Sequence, residues 1–209
     1  MLVREWMTSD PQTVSASTPV MEAMQRLREG GFRRLPVTQS GKLIGIVTDR
    51  DLKEATPSKA TTLSIYELNY LLSKLTVKDV MRSPVITVRA DDPIEQAALL
   101  MEEHRVSGLP VLDGGELVGS LTITDLMRAL VSFLALREGG TRVTVDLPDE
   151  PGVLARVANQ GAPSNIVAAV TTGIQPGHKR RLVLRVAGEG ASGFAERLKA
   201  AGVEVVDVR

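Results

Sequence analysis

Two stretches place a hydroxyl and a carboxylate three residues apart where an apolar run ends: Gly45-Ile46-Val47-Thr48-Asp49-Arg50-Asp51 and Gly119-Ser120-Leu121-Thr122-Ile123-Thr124-Asp125. Thr48 with Asp51, and Thr122 with Asp125, can serve in two ways. Each pair can close a capping box at the start of a helix, worth about 1 kcal/mol. The same geometry also suits a polar ligand, because free amides at a helix start favour an anion and an Asp there accepts hydrogen bonds from paired sugar hydroxyls. Catalysis finds little support. The chain has 0 Cys and 2 His, so thiol nucleophiles and thiolate metal sites are excluded. His104 and His178 fall in different expected domains, and His104, at a helix end before Arg105, reads as a partner for the helix dipole. No metal-ligand spacing is found. The expectation is a non-enzyme that requires no metal and no cofactor.

The elements that must position these pairs come in two copies. Val3-Arg4-Glu5-Trp6-Met7 recurs as Val77-Lys78-Asp79-Val80-Met81, and the offset of 74 holds to Leu52 and Leu126. Along it Leu35-Pro36-Val37 meets Leu109-Pro110-Val111, and Gly45 meets Gly119. Each copy is too short for a comfortable core of its own, so two copies are expected to share one. Thr18-Pro19 and Asp92-Pro93 read as an N-cap followed by Pro at the first helical position. Val20, Ala23, Met24 and Leu27, like Ile94, Ala97, Ala98 and Met101, make a one-faced helical stripe. Two short apolar runs around Gln39-Ser40-Gly41 and Gly114-Gly115 predict a strand, a turn and a strand. The repeat is therefore read as β-α-β-β-α. Between the copies, Ile65, Leu68, Leu71, Leu72 and Leu75 predict a connecting helix that opens at Ser64.

A third segment begins after Gly139-Gly140. Strands are expected over Thr141–Leu147, Ile166–Val170, Leu182–Val186 and Val203–Val208, with helices from Pro151 and over Phe194–Ala201. Gly173 to Gly177 is the expected turn between the middle strands. The order β-α-β-β-α-β is the split βαβ, ferredoxin-like arrangement. The fold class is α+β, with domains expected over residues 1–56, 57–75 (the connecting helix), 76–138 and 139–209.

Composition narrows the partners. The 25 Lys and Arg balance 25 Asp and Glu, and aromatics make up only 3%, so neither a basic field nor a stacking platform for nucleic acid is expected. The longest apolar run, near Ala129 to Leu136, falls far short of the roughly 20 residues that cross a bilayer. The N-terminus has no basic segment followed by an apolar one, and the absence of Cys suits a reducing compartment, so a cytoplasmic protein is expected.

The Val-x-x-x-Met opening, the Leu-Pro-Val strand and the Gly-x-x-Thr-x-x-Asp close, each present twice and in register, resemble the paired CBS domains of a Bateman module. That resemblance covers residues 1–136. It implies clefts between the repeats for adenosine-containing ligands such as AMP, ATP or S-adenosylmethionine, with Thr48, Asp51, Thr122 and Asp125 on ribose and phosphate. It also implies that Arg33 and Arg34 in one copy, and Val106, Ser107 and Gly108 in the other, line the base or phosphates. Two guanidiniums suit a polyphosphate, whereas the small Val-Ser-Gly stretch suits a purine face. Asp149-Glu150-Pro151-Gly152-Val153-Leu154 and Asn165-Ile166 resemble the motifs of an ACT domain, which implies an amino acid or other metabolite near Gly152, Asn165 and Ile166, or dimerisation alone. The CBS, CBS, ACT order is similar to the acetoin-utilisation, AcuB-type family. The implied role is a regulatory homodimer acting on an unknown protein partner; the alternative is a ligand-free scaffold.

Overall fold

The computed structural model describes residues 1–55, 70, 74–175, 177 and 179–209, which fall into two compact units, Met1–Leu126 and Met127–Arg209. The first unit opens with β1 (Thr8–Ser9) and continues through β2 (Val14–Ser15), α1 (Val20–Gly30), β3 (Arg34–Gln39), β4 (Lys42–Thr48) and α2 (Asp49–Glu54). After α3 (Val77–Val80) the same series follows as β5 (Val88–Arg89), α4 (Ile94–Glu103), β6 (Gly108–Asp113), β7 (Glu116–Thr122) and α5 (Ile123–Phe133). Each copy thus has the predicted β-α-β-β-α order. The copies match in detail: Arg34 pairs with Thr48 as Gly108 pairs with Thr122, and Val14 with Val37 as Val88 with Val111.

The helical stripes bury Val20, Ala23 and Leu27 in one core and Ala97 and Met101 in another, so the two copies do not share a single core as expected. Ala98, counted in the stripe, is exposed because it falls beyond the face turned to its core. The caps differ from expectation by one residue. Pro19 and Pro93 are the N-cap residues, extended at ψ 142° and 141°. Thr18 and Asp92 instead brace the preceding turns, the Thr18 hydroxyl accepting from the Ser15 amide at 3.1 Å and the Asp92 carboxylate from the Arg89 amide at 2.9 Å.

The opening segments of the two copies are exchanged. Residues 1–9 pack on the second repeat: Val3 is fully buried in its core, the Val3 amide donates to the Asp92 carbonyl at 3.0 Å, and β1 pairs with β7. Residues 76–82 pack reciprocally on the first repeat, with Val77 in its core and Ile46 and Arg82 exchanging backbone hydrogen bonds. Gly45 and Gly119 permit this close approach. A Cβ at Gly45 would overlap Met81 and lie 3.3 Å from the Arg82 carbonyl; one at Gly119 would overlap Met7 and lie 3.1 Å from the Thr8 carbonyl. Apart from Tyr70, Lys74 and Leu75, the expected connecting helix lies outside the described residues.

In the second unit β8 (Thr141–Pro148), α6 (Val153–Ala158), β9 (Asn165–Gln175), β10 (Lys179–Ala187), α7 (Phe194–Ala200) and β11 (Glu204–Val208) form an antiparallel sheet ordered β11-β8-β10-β9, the ferredoxin-like order expected. Val143, Val145, Leu147, Leu182, Leu184 and Val186 face a core closed by Val157, Phe194 and Leu198. The middle hairpin is longer than predicted. Gly173 and Ile174 belong to β9 because Ile174 and Gln175 still pair with Arg180 and Lys179; Pro176 lies outside the described residues. Arg185 donates to the carbonyls of Leu134 and Gly139 at 3.1 and 3.2 Å, tying the chain beyond α5 to this sheet. Among the described residues no helix is long and apolar enough to cross a membrane.

Candidate ligand-binding site

Thr48 ends β4 and caps α2. Its amide and hydroxyl both donate to Asp51 Oδ2, at 2.9 and 2.6 Å, and the Asp51 amide returns a bond to Thr48 Oγ1 at 3.2 Å. Thr122 makes the same two donations to Asp125 Oδ2, each at 2.7 Å. The full capping box is formed at Thr48 and Asp51, and the donations from Thr122 to Asp125 repeat its carboxylate half; each uses one oxygen of the carboxylate. The other oxygen of Asp51 receives Arg82 from the exchanged segment, Nε at 2.7 Å and Nη2 at 2.6 Å. The Asp51 side chain is only 6% exposed, whereas that of Arg82 is 64% exposed, so the carboxylate is fixed and the guanidinium faces water.

Burial pushes the Asp51 carboxyl up, but the hydrogen bonds from Thr48 and Arg82 together with the Arg82 charge outweigh it, and the net displacement is below the usual carboxylate range. A depressed folded-state pKa contributes stability that is complete above the ordinary value of about 4 and is lost as pH falls through the depressed value. The urea midpoint is accordingly expected to fall on acidification below about pH 4, and Asp51→Asn to flatten that limb. An equally steep limb in the variant would assign the acid sensitivity to other carboxylates.

Arg34 leaves β3 and crosses to the second repeat, where Nη1 donates to the Gly108 carbonyl at 2.6 Å and Nη2 to the Ser107 hydroxyl. Glycine at 108 makes room for this contact, since a Cβ would lie 2.9 Å from the guanidinium carbon of Arg34 and 3.0 Å from the Leu121 carbonyl and would displace the arginine. Burial, and then the neighbouring Arg33 charge, hold the Arg34 pKa below its ordinary value. An arginine that feels a second cation while partly desolvated marks a region of positive potential.

These residues line a cleft of about 480 Å³ between the repeats, within the size range of small-molecule sites, about 300 to 1,000 Å³. It gathers Arg33, Arg34, Thr48, Val106, Ser107 and Gly108. Asp51 stands behind its wall, connected through Arg82 and Thr48, and Thr122 and Asp125 occupy the related positions of the second repeat outside it. Gly108 is covered by Arg34. Asp49, Arg50, Arg82 and Arg105 also line the cleft, and motif matching did not single them out. The signal that marks Arg50, Arg82 and Arg105 is a departure of one copy from the other, with Thr124, Thr8 and Gly31 at the related positions.

In the second unit the expected site is divided. Gly152, at φ +82° before α6, lines a small cavity of about 180 Å³ with Asp149, Leu154 and Arg180, and Arg180 pairs with Asp149 at 2.9 and 3.2 Å. Asn165 and Ile166 do not reach it, because Ile166 packs against the core at the start of β9. A larger cavity of about 510 Å³ lies between the end of α6 and the start of β11, where Lys179 pairs with Glu204 at 2.6 Å.

Comparison with known proteins fits this architecture. The CBS domain family model matches residues 3–58 and 77–132, and the TTHA0829-like ACT domain model matches residues 139–209. A CBS domain-containing protein of Dictyostelium discoideum is 35% identical over 136 residues, 64% of this chain and 94% of its own. L-aspartate semialdehyde sulfurtransferase of Methanocaldococcus jannaschii is 30% identical over 61% of this chain, which spans only 23% of that enzyme. Among solved structures, the CBS domain pair of protein MJ0100 in complex with 5′-methylthioadenosine and S-adenosyl-L-methionine is 30% identical, with a TM-score of 0.52 over 62% of this chain and 95% of its own. CBSX2 in complex with AMP is 34% identical, with a TM-score of 0.52 over 62% and 96%. An AcuB protein from Vibrio cholerae is 27% identical, with a TM-score of 0.54 over 66% and 96%.

Proposed function

Because this chain belongs to the CBS-domain family, with a CBS pair followed by a TTHA0829-like ACT domain, we propose that it is a regulatory, non-catalytic sensor whose cleft binds an adenosine-containing ligand. The observation that carries this reading is the convergence in one cleft of Thr48, both segments that precede a Leu-Pro-Val strand, and Arg82 as the route to Asp51. Ribose hydroxyls need acceptors, and Asp51 Oδ1 becomes one when Arg82 turns to a phosphate. The small Val106-Ser107 surface is suited to an adenine face. Regulation further requires that the ligand bind two conformations of the chain with different affinity. No cofactor is needed for this role, and the enzyme relative is a larger protein of which this chain matches about a quarter.

The ACT domain is read as pairing with a second copy, since the cavity at Gly152 falls below the usual size for a ligand and the larger one of about 510 Å³ contains none of the motif residues Gly152, Asn165 and Ile166. The assembly in this reading is a homodimer. The exposed stripe of Ile123, Met127, Leu130 and Phe133 on α5 offers a further apolar surface to the second chain. Action on a protein partner, and cytoplasmic residence, which rests on the absence of Cys, belong to the same proposal.

A thermal-shift series with AMP, ADP, ATP and S-adenosylmethionine tests it. Ligand at about 100 times its dissociation constant adds about 2.7 kcal/mol, or several degrees. Asp51→Ala is expected to lower the affinity at least tenfold, and to lower the unliganded melting temperature by the modest amount that loss of its helix cap, about 1 kcal/mol, implies. The scaffold reading draws on a specific observation too, that Thr48 and Arg82 already occupy the Asp51 carboxylate. No shift with any adenosine compound would establish the scaffold instead.

A further inference from the structure

Five arginines line the cleft, and none of them has a basic counterpart in the related half of the same fold, Arg33 and Arg34 standing where the other copy has Ser107 and Gly108. Arg50, Arg82 and Arg105 stand where the other copy has Thr124, Thr8 and Gly31. Two carboxylates offset part of this charge, Glu54 on Arg50 at 2.7 Å and Asp51 on Arg82 at 2.6 Å, while Asp49, also on the lining, is balanced by Lys53 at 2.6 Å. Among the described residues, Arg33, Arg34 and Arg105 meet no carboxylate, and Arg34 spends its donors on a neutral carbonyl and a hydroxyl. The cleft therefore holds an excess of about three positive charges.

The backbone marks one of these arginines independently. Arg105 follows α4 at φ +53°, a left-handed conformation, where the first copy ends its helix with Gly31 at φ +65°. Glycine adopts that conformation freely and arginine does not, so the second copy keeps a strained residue where its twin uses the relaxed one. Local strain retained at the mouth of a charged cleft calls for a compensating role, and the role that fits a guanidinium is holding an anion.

We propose that this cleft selects the polyphosphate end of a nucleotide, with Arg33, Arg50, Arg82 and Arg105 as the phosphate-holding and specificity-determining residues. The inference rests on the adenosine reading and narrows it. A triphosphate matches the charge excess, a monophosphate leaves part of it uncompensated, and the sulfonium of S-adenosylmethionine adds a cation to a field already positive. Arg82 does double duty, since its movement to a phosphate frees Asp51 Oδ1 for a ribose hydroxyl.

Calorimetric titration of the full chain with ATP, AMP, adenosine, S-adenosylmethionine and inorganic tripolyphosphate tests this. ATP is expected to bind at least tenfold more tightly than AMP and to lose affinity steeply with added salt, and S-adenosylmethionine to be the weakest of the charged adenosine ligands at this cleft. Arg50→Thr, Arg82→Thr and Arg105→Gly install residues that the fold already carries at the related positions. Each is expected to weaken ATP about tenfold, the effect of one charge-assisted hydrogen bond; Arg50→Thr and Arg105→Gly are expected to leave adenosine unchanged, and Arg82→Thr to tighten it, since Asp51 Oδ1 is then free for the ribose. Arg105→Gly is also expected to raise the unliganded melting temperature by about 2 °C, opposite in sign to its effect on binding, which a merely structural residue would not do. AMP and adenosine binding within threefold of ATP, or ATP affinity unmoved in all three variants, would overturn the charge selection and leave the adenosine reading standing. Tripolyphosphate binding as tightly as ATP, with adenosine not binding, would uphold the charge selection and overturn the adenosine reading.

Discussion

A chain lacking Met1 to Ser9 is expected to lose about 4 kcal/mol or more and to unfold its second repeat. Val3 is fully buried among Val88, Ala97 and Leu109, and burying such a side chain contributes about 1.5–3 kcal/mol. Trp6 and Met7 pack against the same core. The segment also satisfies backbone groups of the second repeat, with Val3 and Arg4 donating to the carbonyls of Asp92 and Ala90 at 3.0 Å and Met1 accepting from Ile94 at 3.2 Å. Its removal exposes the edge of β7 along Gly119 and Ser120. Against a domain stability of about 5–15 kcal/mol the loss is decisive. Hydrogen exchange reads it directly: amides of β6 and β7 lose protection first, while β3 and β4 keep theirs. Unchanged protection of β6 and β7 would mean that the exchanged segment is an ornament of the second core.

Arg34→Met is expected to cost about 2–3 kcal/mol, measured by urea unfolding. Methionine keeps much of the side-chain volume and removes the two donations that join β3 to the start of β6. A hydrogen bond from a charged donor contributes about 1.5–3 kcal/mol, and relief of the repulsion with Arg33 returns a fraction. Gly108→Ala attacks the same contact from the opposite side by driving a methyl into the guanidinium. If the two substitutions act through one contact, their combined cost is less than additive, because the methionine gives way where arginine is held. Full additivity, or an unchanged urea midpoint for Arg34→Met, would show that the junction between the repeats is carried elsewhere.

The element order was legible because its signals are local: a helical stripe in Val20, Ala23 and Leu27 buries one face whatever the partner is, and the offset of 74 doubled every signal. The exchange of opening segments was not legible. Val3 and Met7 match Val77 and Met81 in type, so the pattern is equally satisfied on either repeat, and only three-dimensional pairing decides. The pre-strand residues of the cleft were found through the resemblance to paired CBS domains, although the copies differ there, Arg33 and Arg34 against Ser107 and Gly108. Arg82 and Arg105 were missed because they lie outside every recurring motif, and the offset of 74 sets them against Thr8 and Gly31. The left-handed backbone at Arg105 has no marker in the residue itself, in contrast to Gly31. At the ACT domain the motif residues were recognised, but Ile166 turned inward as an ordinary core residue of a strand.

The reciprocal exchange also sets an order of events on the ribosome. Residues 1–9 leave the exit tunnel before the rest of the pair, yet their strand partner, residues 116–122, is made more than a hundred residues later, on the order of 10 s at the usual pace of synthesis. The first repeat in turn stays open until Val77 arrives. The nascent chain therefore cannot complete one half and then add the other; both halves close near the end of the pair, as a clasp does.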